Sequence, residues 1–364
     1  MNQNRITEKT NAKNARPHSI RNLIIIKTFT GEPRTGGELI VNEIIASLKD
    51  EPNVLIIKPF ENLKKIDGSR LSVGIKEIIR RFYFVVKINS LSLRYIKQGH
   101  EVYCDSPVAS VRYLQPPVRL RKAMKVQTIL VDKFVNFFDS LTRRGKNNLK
   151  LVIYNSRYSI ENFKVRKKDI IEHILYPCIP NLIENNSESS IKEDMFITLS
   201  RIVPHKNLEE IENIITDIPY QHYLIGYNSN KVYLDHIRNT LKKSIVIPNV
   251  SDEMKQDFLR RAKLMLHTSI NEPAGIVFME SLANGVIPLA HKSGGALEIV
   301  PSEFLWDSPL EAAEKIKYFM QTYNDETYNK LKLLSKRYDC ETFKIRFREI
   351  VISYLENFSR DHNL

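Results

Sequence analysis

At 364 residues the chain exceeds one ordinary domain, and two lobes of roughly 150 to 180 residues are the natural division. No run of about 18 apolar residues occurs, so no helix can span a bilayer; Cys104, Cys178 and Cys340 are scattered, with no C-x-x-C pair or clustered histidines for a zinc site, which fits a reducing cytoplasm. The formal charge of +13 is uneven, because residues 61–150 hold 19 Lys and Arg against 7 Asp and Glu, a balance open to nucleic acid, anionic lipid or an anionic substrate.

Residues 1–21 are polar and basic, lack the apolar core of a secretory signal, and read as a flexible tail. NLIIIKTF (22–29) and NVLIIKPF (53–60) flank a helix near 36–49, a β-α-β unit. Apolar runs at VYC near 102, VRYL near 111 and LVIYNS near 151 continue that sheet. Between them, IIRRFYFVVKI and the run from Arg119 to Lys146 mix apolar stripes with cations at helical spacing, which suits a core helix with a solvated face or an anionic membrane surface. The polar loop 181–194 marks a hinge, followed by strand-like MFITLS, QHYLIGY, SIVIPNV, LMLHTS and VIPLAH. Strands alternating with helices predict two Rossmann-like parallel α/β lobes, 22–178 and 179–340, with a last apolar-striped helix over about 341–364.

Three segments carry candidate chemistry. In NEPAGIVFMESLANG, Glu272 and Glu280 lie eight residues apart and bracket the start of a short helix. Pro273 suits a first helical position, Gly275 to Val277 leave N–H groups without intrahelical partners, and Gly285 fits a left-handed helix end. In RIVPHKNLEEI, Arg201 and Lys206 occupy the loop at the carboxyl end of a strand, where such sheets bind ligands, and Asn207 with Glu210 fits a helix cap and its capping-box partner. In TFTGEPRTGGELI, Gly36 and Gly37 stand between a first strand and a first helix, where the backbone can approach a phosphate or sugar.

The string from Glu272 to Glu280, with the SGGALEIV that follows, resembles the E-x7-E and GG-x-x-E signatures of the retaining family 4 glycosyltransferases. RIVPHKN resembles their R-L-x-x-x-K-G segment with Asn207 in place of Gly, and the Gly36–Gly37 loop resembles one in their acceptor lobe. The resemblance implies a GT-B architecture, two Rossmann-like lobes facing across a cleft with the C-terminal helix crossing back to the first. It also implies transfer of a hexose-type sugar, with retention, from a UDP- or GDP-sugar to a glycan or lipid-linked acceptor.

Carried over residue by residue, Arg201, Lys206 and Glu272 are catalytic. The donor meets Gly36, Gly37, Arg201, Lys206, Val250, Glu272, Ala274, Gly275, Ile276, Val277 and Glu280, with Arg201 and Lys206 on the diphosphate, Glu272 on sugar hydroxyls and Glu280 on the ribose. Neither metal nor cofactor is expected, and nucleic acid is not an expected partner. The placement implied is cytoplasmic, peripheral to a membrane. Gln115 stands where many relatives carry His, so His100 and Asp105 are acceptor-side candidates without an assigned role. Two other readings are a non-catalytic basic membrane- or nucleic-acid-binding protein on the same scaffold, which leaves the paired glutamates unexplained, and a same-fold epimerase.

Overall fold

The computed structural model describes residues 22–27, 36–59, 73–104, 108–114, 140, 147–162, 169–179, 192–228 and 230–360. The tail 1–21, Asp105, Gln115 and most of the basic run 119–146 lie outside the described residues.

The first lobe is a parallel sheet of β1 (Leu23–Ile26), β2 (Val54–Ile57), β3 (Glu101–Tyr103), β4 (Val111–Leu114), β5 (Leu151–Tyr154) and β6 (Ile171–Ile174) in the order β2-β1-β3-β4-β5-β6. LIII in β1 and LVIY in β5 are buried throughout, as strands covered on both faces must be. β6 was not apparent in the sequence because IEHI has no apolar run, and all four of its residues are exposed at the sheet edge.

Helix α1 (Gly36–Leu48) turns Ile40, Ile44 and Leu48 into the core, one residue per turn on a single stripe. Helix α2 (Val73–Lys97) carries IIRRFYFVVKI. Along its second half Phe84, Ile88, Leu91, Tyr95 and Ile96 pack against Ile24, Ile26 and Val102. The described second half of α2 thus buries one apolar stripe in the lobe core, while Tyr83 and Val86 stay exposed. A short helix, α3 (Arg157–Asn162), follows β5.

The second lobe repeats the plan with β7 (Glu193–Leu199), β8 (Gln221–Gly226), β9 (Ser244–Pro248), β10 (Ala262–His267), β11 (Ile287–His291) and β12 (Leu305–Trp306), parallel and ordered β12-β11-β10-β7-β8-β9. Its helices are α4 (Glu210–Ile215), α5 (Lys231–Thr240), α6 (Asp252–Arg261), α7 (Ile276–Ala283), α8 (Ala296–Ile299), α9 (Pro309–Thr322) and α10 (Asp325–Ser335). Local chemistry sets their starts: the Asn230, Ser251 and Ser308 side chains accept from the backbone N–H three residues on. The chain builds β7, β8 and β9 outward on one side, then returns to lay β10 on the other side of β7. The order of strands reverses at β7/β10, and a crevice opens outside their carboxyl ends.

The final helix, α11 (Cys340–Arg360), crosses back to the first lobe. Phe343, Phe347, Val351 and Tyr354 form its buried stripe, and Phe347 and Phe343 meet Tyr103 and Tyr113 edge-on at 6.0 Å. Burying each such side chain contributes roughly 1.5–3 kcal/mol. Where α11 begins, Cys340 is disulfide-bonded to Cys178 in the segment after β6, and the Ile179 N–H donates to the Tyr338 carbonyl at 3.0 Å. The two connections between lobes thus run side by side. The bond goes against the expectation of unpaired cysteines in a reducing cytoplasm: the partners are 162 residues apart in sequence, and folding alone brings them together. Cys104 is buried, takes no part in that disulfide, and lies with its Sγ 3.4 Å from Ser92 Oγ.

Candidate active site

Two loops leave the carboxyl ends of β7 and β10 side by side. After β7 the chain passes exposed Arg201 and makes a tight turn over Pro204–Lys206. Asn207 then adopts a left-handed conformation at φ 52°. Asn accepts that geometry more readily than other residues with a side chain, which accounts for its standing where Gly is common. The capping role expected of Asn207 is not observed: α4 starts at Glu210 with Glu209 at its N-cap position, because the left-handed bend interposes another turn. Thr268 Oγ1 donates to the Lys206 carbonyl at 3.1 Å, and this bond ties the two loops together.

On that frame Lys206 Nζ reaches Glu272 Oε2 at 2.5 Å. Burial alone would raise the Glu272 carboxyl, but the Lys206 charge, His267 and the Arg201 field hold it below its ordinary value. His267 Nε2 lies 3.8 Å from the same oxygen, too far for a hydrogen bond, and has no partner. Burial pushes His267 down to about 4, so the ring is neutral at pH 7. Ser269 Oγ is likewise buried without a partner. An unsatisfied ring nitrogen beside a half-buried ion pair marks a place suited to a polar ligand or ordered water.

Backbone contacts fix the carboxylate as firmly as its cation does. The Gly295 N–H donates to the Glu272 carbonyl at 2.7 Å, and the Asn271 N–H donates to Ser293 Oγ at 2.8 Å. A Cβ on Gly295 would lie 2.2 Å from the Pro273 carbonyl oxygen, and one on Gly294, at φ +63°, would lie 2.5 Å from that of Glu272. Only glycines allow this approach. Pro273 does not open the helix, contrary to the expectation from sequence: Gly275, at φ +62°, is the N-cap and α7 starts at Ile276. Ala274 is buried, Ile276 packs against the first-lobe core and Val277 against the second. The opening N–H groups of α7 accordingly lie where the lobes meet. Gly285, at φ +63°, ends this stretch before β11.

Glu280 sits within α7 and is nearly buried. Lys255 Nζ, from α6, donates to Glu280 Oε1 at 3.0 Å. Burial lowers Lys255, but Glu280 and Asp252 outweigh it and raise the ammonium above its usual value. Lys255 was absent from the sequence-level site because its partner is 25 residues away on another element. Val250 follows β9 and packs partly against the second-lobe core, beside Asn249 at φ 57°, whose N–H donates to the Gly226 carbonyl at 2.7 Å.

Arg201, Lys206, Glu272 and the start of α7 therefore share one crevice. Gly36 and Gly37 open α1 on the first lobe. His100 precedes β3 at its amino end, against Tyr95 at 6.3 Å between ring centroids, away from the carboxyl ends that face the crevice.

Comparison with known proteins agrees with this geometry. Residues 182–335 match the family model of the glycosyl transferases group 1. The alpha-1,3/1,6-mannosyltransferase ALG2 of Eremothecium gossypii is 30% identical over 159 residues, 40% of this chain and 29% of that protein, so the match spans less than a third of the relative's length. Among solved structures, Anabaena Alr3699/HepE in complex with UDP and glucose superposes with a TM-score of 0.63 at 16% identity, over 92% of this chain and 100% of that one. WaaG, a glycosyltransferase involved in lipopolysaccharide biosynthesis, superposes with a TM-score of 0.60 at 12% identity, over 90% and 99%. Residues 182–335 are thus similar to the glycosyl transferases group 1, and the chain as a whole has the two-lobed GT-B fold.

Proposed function

We propose that the chain is a retaining glycosyltransferase of the family 4 type, moving a hexose-type sugar from a UDP- or GDP-sugar to a hydroxyl of a glycan or lipid-linked acceptor. One observation carries this: the Lys206–Glu272 pair at 2.5 Å, at the carboxyl ends of the two central strands of the second lobe, with Glu280 further along the same loop and helix.

In the reaction the bond between the anomeric carbon and the diphosphate oxygen breaks, a bond from the acceptor oxygen forms, and the acceptor's hydroxyl proton passes to the departing diphosphate. Charge grows on the departing diphosphate, and Arg201 and Lys206 supply fixed positive charge there, the contribution that usually dominates rate. The first N–H groups of α7 add donors for sugar and phosphate. Glu272 is kept ionised to accept from sugar hydroxyls as Lys206 turns to phosphate. Glu280, paired with Lys255, receives the ribose hydroxyls. With two cations and a helix start on the diphosphate, the chemistry needs no metal, and activity is expected to survive EDTA.

The UDP and glucose in the HepE structure and the mannosyltransferase relative support the donor class. The lipopolysaccharide role of WaaG supports a lipid-linked acceptor, and with it attachment of the basic run 119–146 to an anionic cytoplasmic membrane face. A thermal-shift screen with UDP, GDP, ADP and their common sugars tests the proposal. A ligand at a hundred times its Kd stabilises by about 2.7 kcal/mol. Raised melting with a uridine or guanosine diphosphate series is expected, and a flat response to all of them would overturn the assignment.

A further inference from the structure

Glu298 belongs to the second lobe, on α8, yet its carboxylate is spent on the first lobe. Oε2 accepts from the Arg157 N–H and Oε1 from the Tyr158 N–H, each at 2.8 Å. These N–H groups open α3, 141 and 140 residues away in sequence. Tyr176 Oη, in the segment joining the lobes, donates to Oε2 at 2.6 Å. Three hydrogen bonds to one carboxyl group thus link α8 to the first lobe and to the segment joining the lobes. The two bonds to α3 must break if the lobes part, whereas Tyr176 packs against the second-lobe core and braces the carboxylate from its own side.

The same short stretch governs the donor loop. Gly295, three residues before Glu298, donates to the Glu272 carbonyl at 2.7 Å, and Gly294 and Gly295 lie against the backbone of 271–274 too closely for any side chain. A carboxylate that grips the first lobe is therefore coupled, through one turn of backbone, to the carboxylate that pairs with Lys206.

We propose that Glu298 is an inter-lobe latch, a positioning residue that fixes how far the lobes close and thereby where Glu272 stands relative to the first lobe. It touches neither donor nor acceptor. The kinetic consequence rests on the proposed glycosyltransferase function; the latch itself does not.

The test compares wild type with Glu298→Gln, Glu298→Ala and Tyr176→Phe in the full-length chain, each first checked for an unaltered far-UV spectrum. Hydrogen exchange of the Arg157 and Tyr158 amides is followed by mass spectrometry. Inter-lobe distance is read between spin labels on cysteines placed at exposed Lys49 and Val232. Glu298→Ala is expected to exchange both amides about tenfold faster and to broaden the distance distribution. Glu298→Gln, with one acceptor oxygen, is expected to retain part of the protection, and Tyr176→Phe most of it.

Affinity for UDP or GDP, measured by calorimetry, is expected to stay within about threefold, because the nucleotide residues lie on the second lobe, while kcat falls and donor KM does not. Unchanged exchange and an unchanged distance distribution in Glu298→Ala would overturn the latch. So would equal losses in nucleotide affinity and turnover, since they would make Glu298 a binding residue. If wild type binds neither UDP nor GDP, the donor assignment falls, and exchange and distance still decide the latch.

Discussion

The Gly295 N–H donates to the Glu272 carbonyl at 2.7 Å, so the glycine pair at 294–295 forms the wall against which the Glu272 backbone is held. A Cβ at position 295 would stand 2.2 Å from the Pro273 carbonyl oxygen, and a backbone atom cannot swing aside as a side chain end can. Gly295→Ala is therefore expected to displace residues 271–274 at a cost of about 1–3 kcal/mol and to weaken nucleotide binding at least about tenfold. Chemical denaturation and calorimetric titration with UDP and GDP check both. Undiminished binding would show that the loop tolerates the shift.

Lys206 and Glu272 form a pair whose disruption and replacement have different consequences. Lys206→Ala leaves a carboxylate buried with the Arg201 field alone, which is expected to raise its pKa, cost up to about 3 kcal/mol of stability and lower turnover about a hundredfold or more. The double variant Lys206→Met with Glu272→Gln removes both charges, and recovers stability without recovering activity. Urea melts and initial rates on wild type, Lys206→Met, Glu272→Gln and the double variant measure the coupling. A double variant as unstable as Lys206→Ala would assign the cost to packing instead.

Buried neutral histidines give the second lobe an acid-side weakness. Burial takes His267 down to about 4 and His222 to about 3, while both titrate near 6.5 when unfolded. Between those values the unfolded chain binds more protons, so stability is full above about pH 6.5 and is lost as pH falls toward the folded pKa. At pH 5 each histidine is expected to cost about 2 kcal/mol relative to pH 7. His267→Asn should remove its share of that loss. A pH dependence identical to wild type would show that the fold does not depress the ring's pKa.

Much of this architecture was legible because its signals are local. Continuous apolar runs such as LIII and FITL report strands covered on both faces, and the residue order of the Arg201–Lys206 and Glu272–Glu280 segments placed them after strands of one sheet. Local signals also misled where two competed. Pro273 and Gly275 both punctuate a helix start, and the left-handed Gly275 prevailed; Asn207 offers a cap and a left-handed bend, and the bend prevailed. Glu298, Lys255 and the Cys178–Cys340 bond were invisible as partners because each meets a residue 25 to 162 positions away, and no spacing rule encodes a contact made by tertiary folding.

The Cys178–Cys340 bond closes a loop of 162 residues, and in the chain-entropy model such a closure stabilises by about 5 kcal/mol. Protein denatured without reductant is expected to show one reactive thiol, from Cys104, and three after reduction. The melting temperature should fall on reduction and in Cys340→Ser. Three thiols in unreduced protein would mean that the hinge is held by α11 packing alone.

The central claim is that one pocket on the second lobe binds a nucleoside diphosphate between the Arg201–Lys206 cations and Glu280. Calorimetric titration of UDP and GDP into wild type, Lys206→Ala and Glu280→Ala, with circular dichroism confirming that each is folded, tests it most directly. One of the two nucleotides should bind wild type, and each variant should bind it at least about tenfold more weakly, the cost of losing one charge-assisted contact. Equal affinity in all three proteins would contradict the pocket.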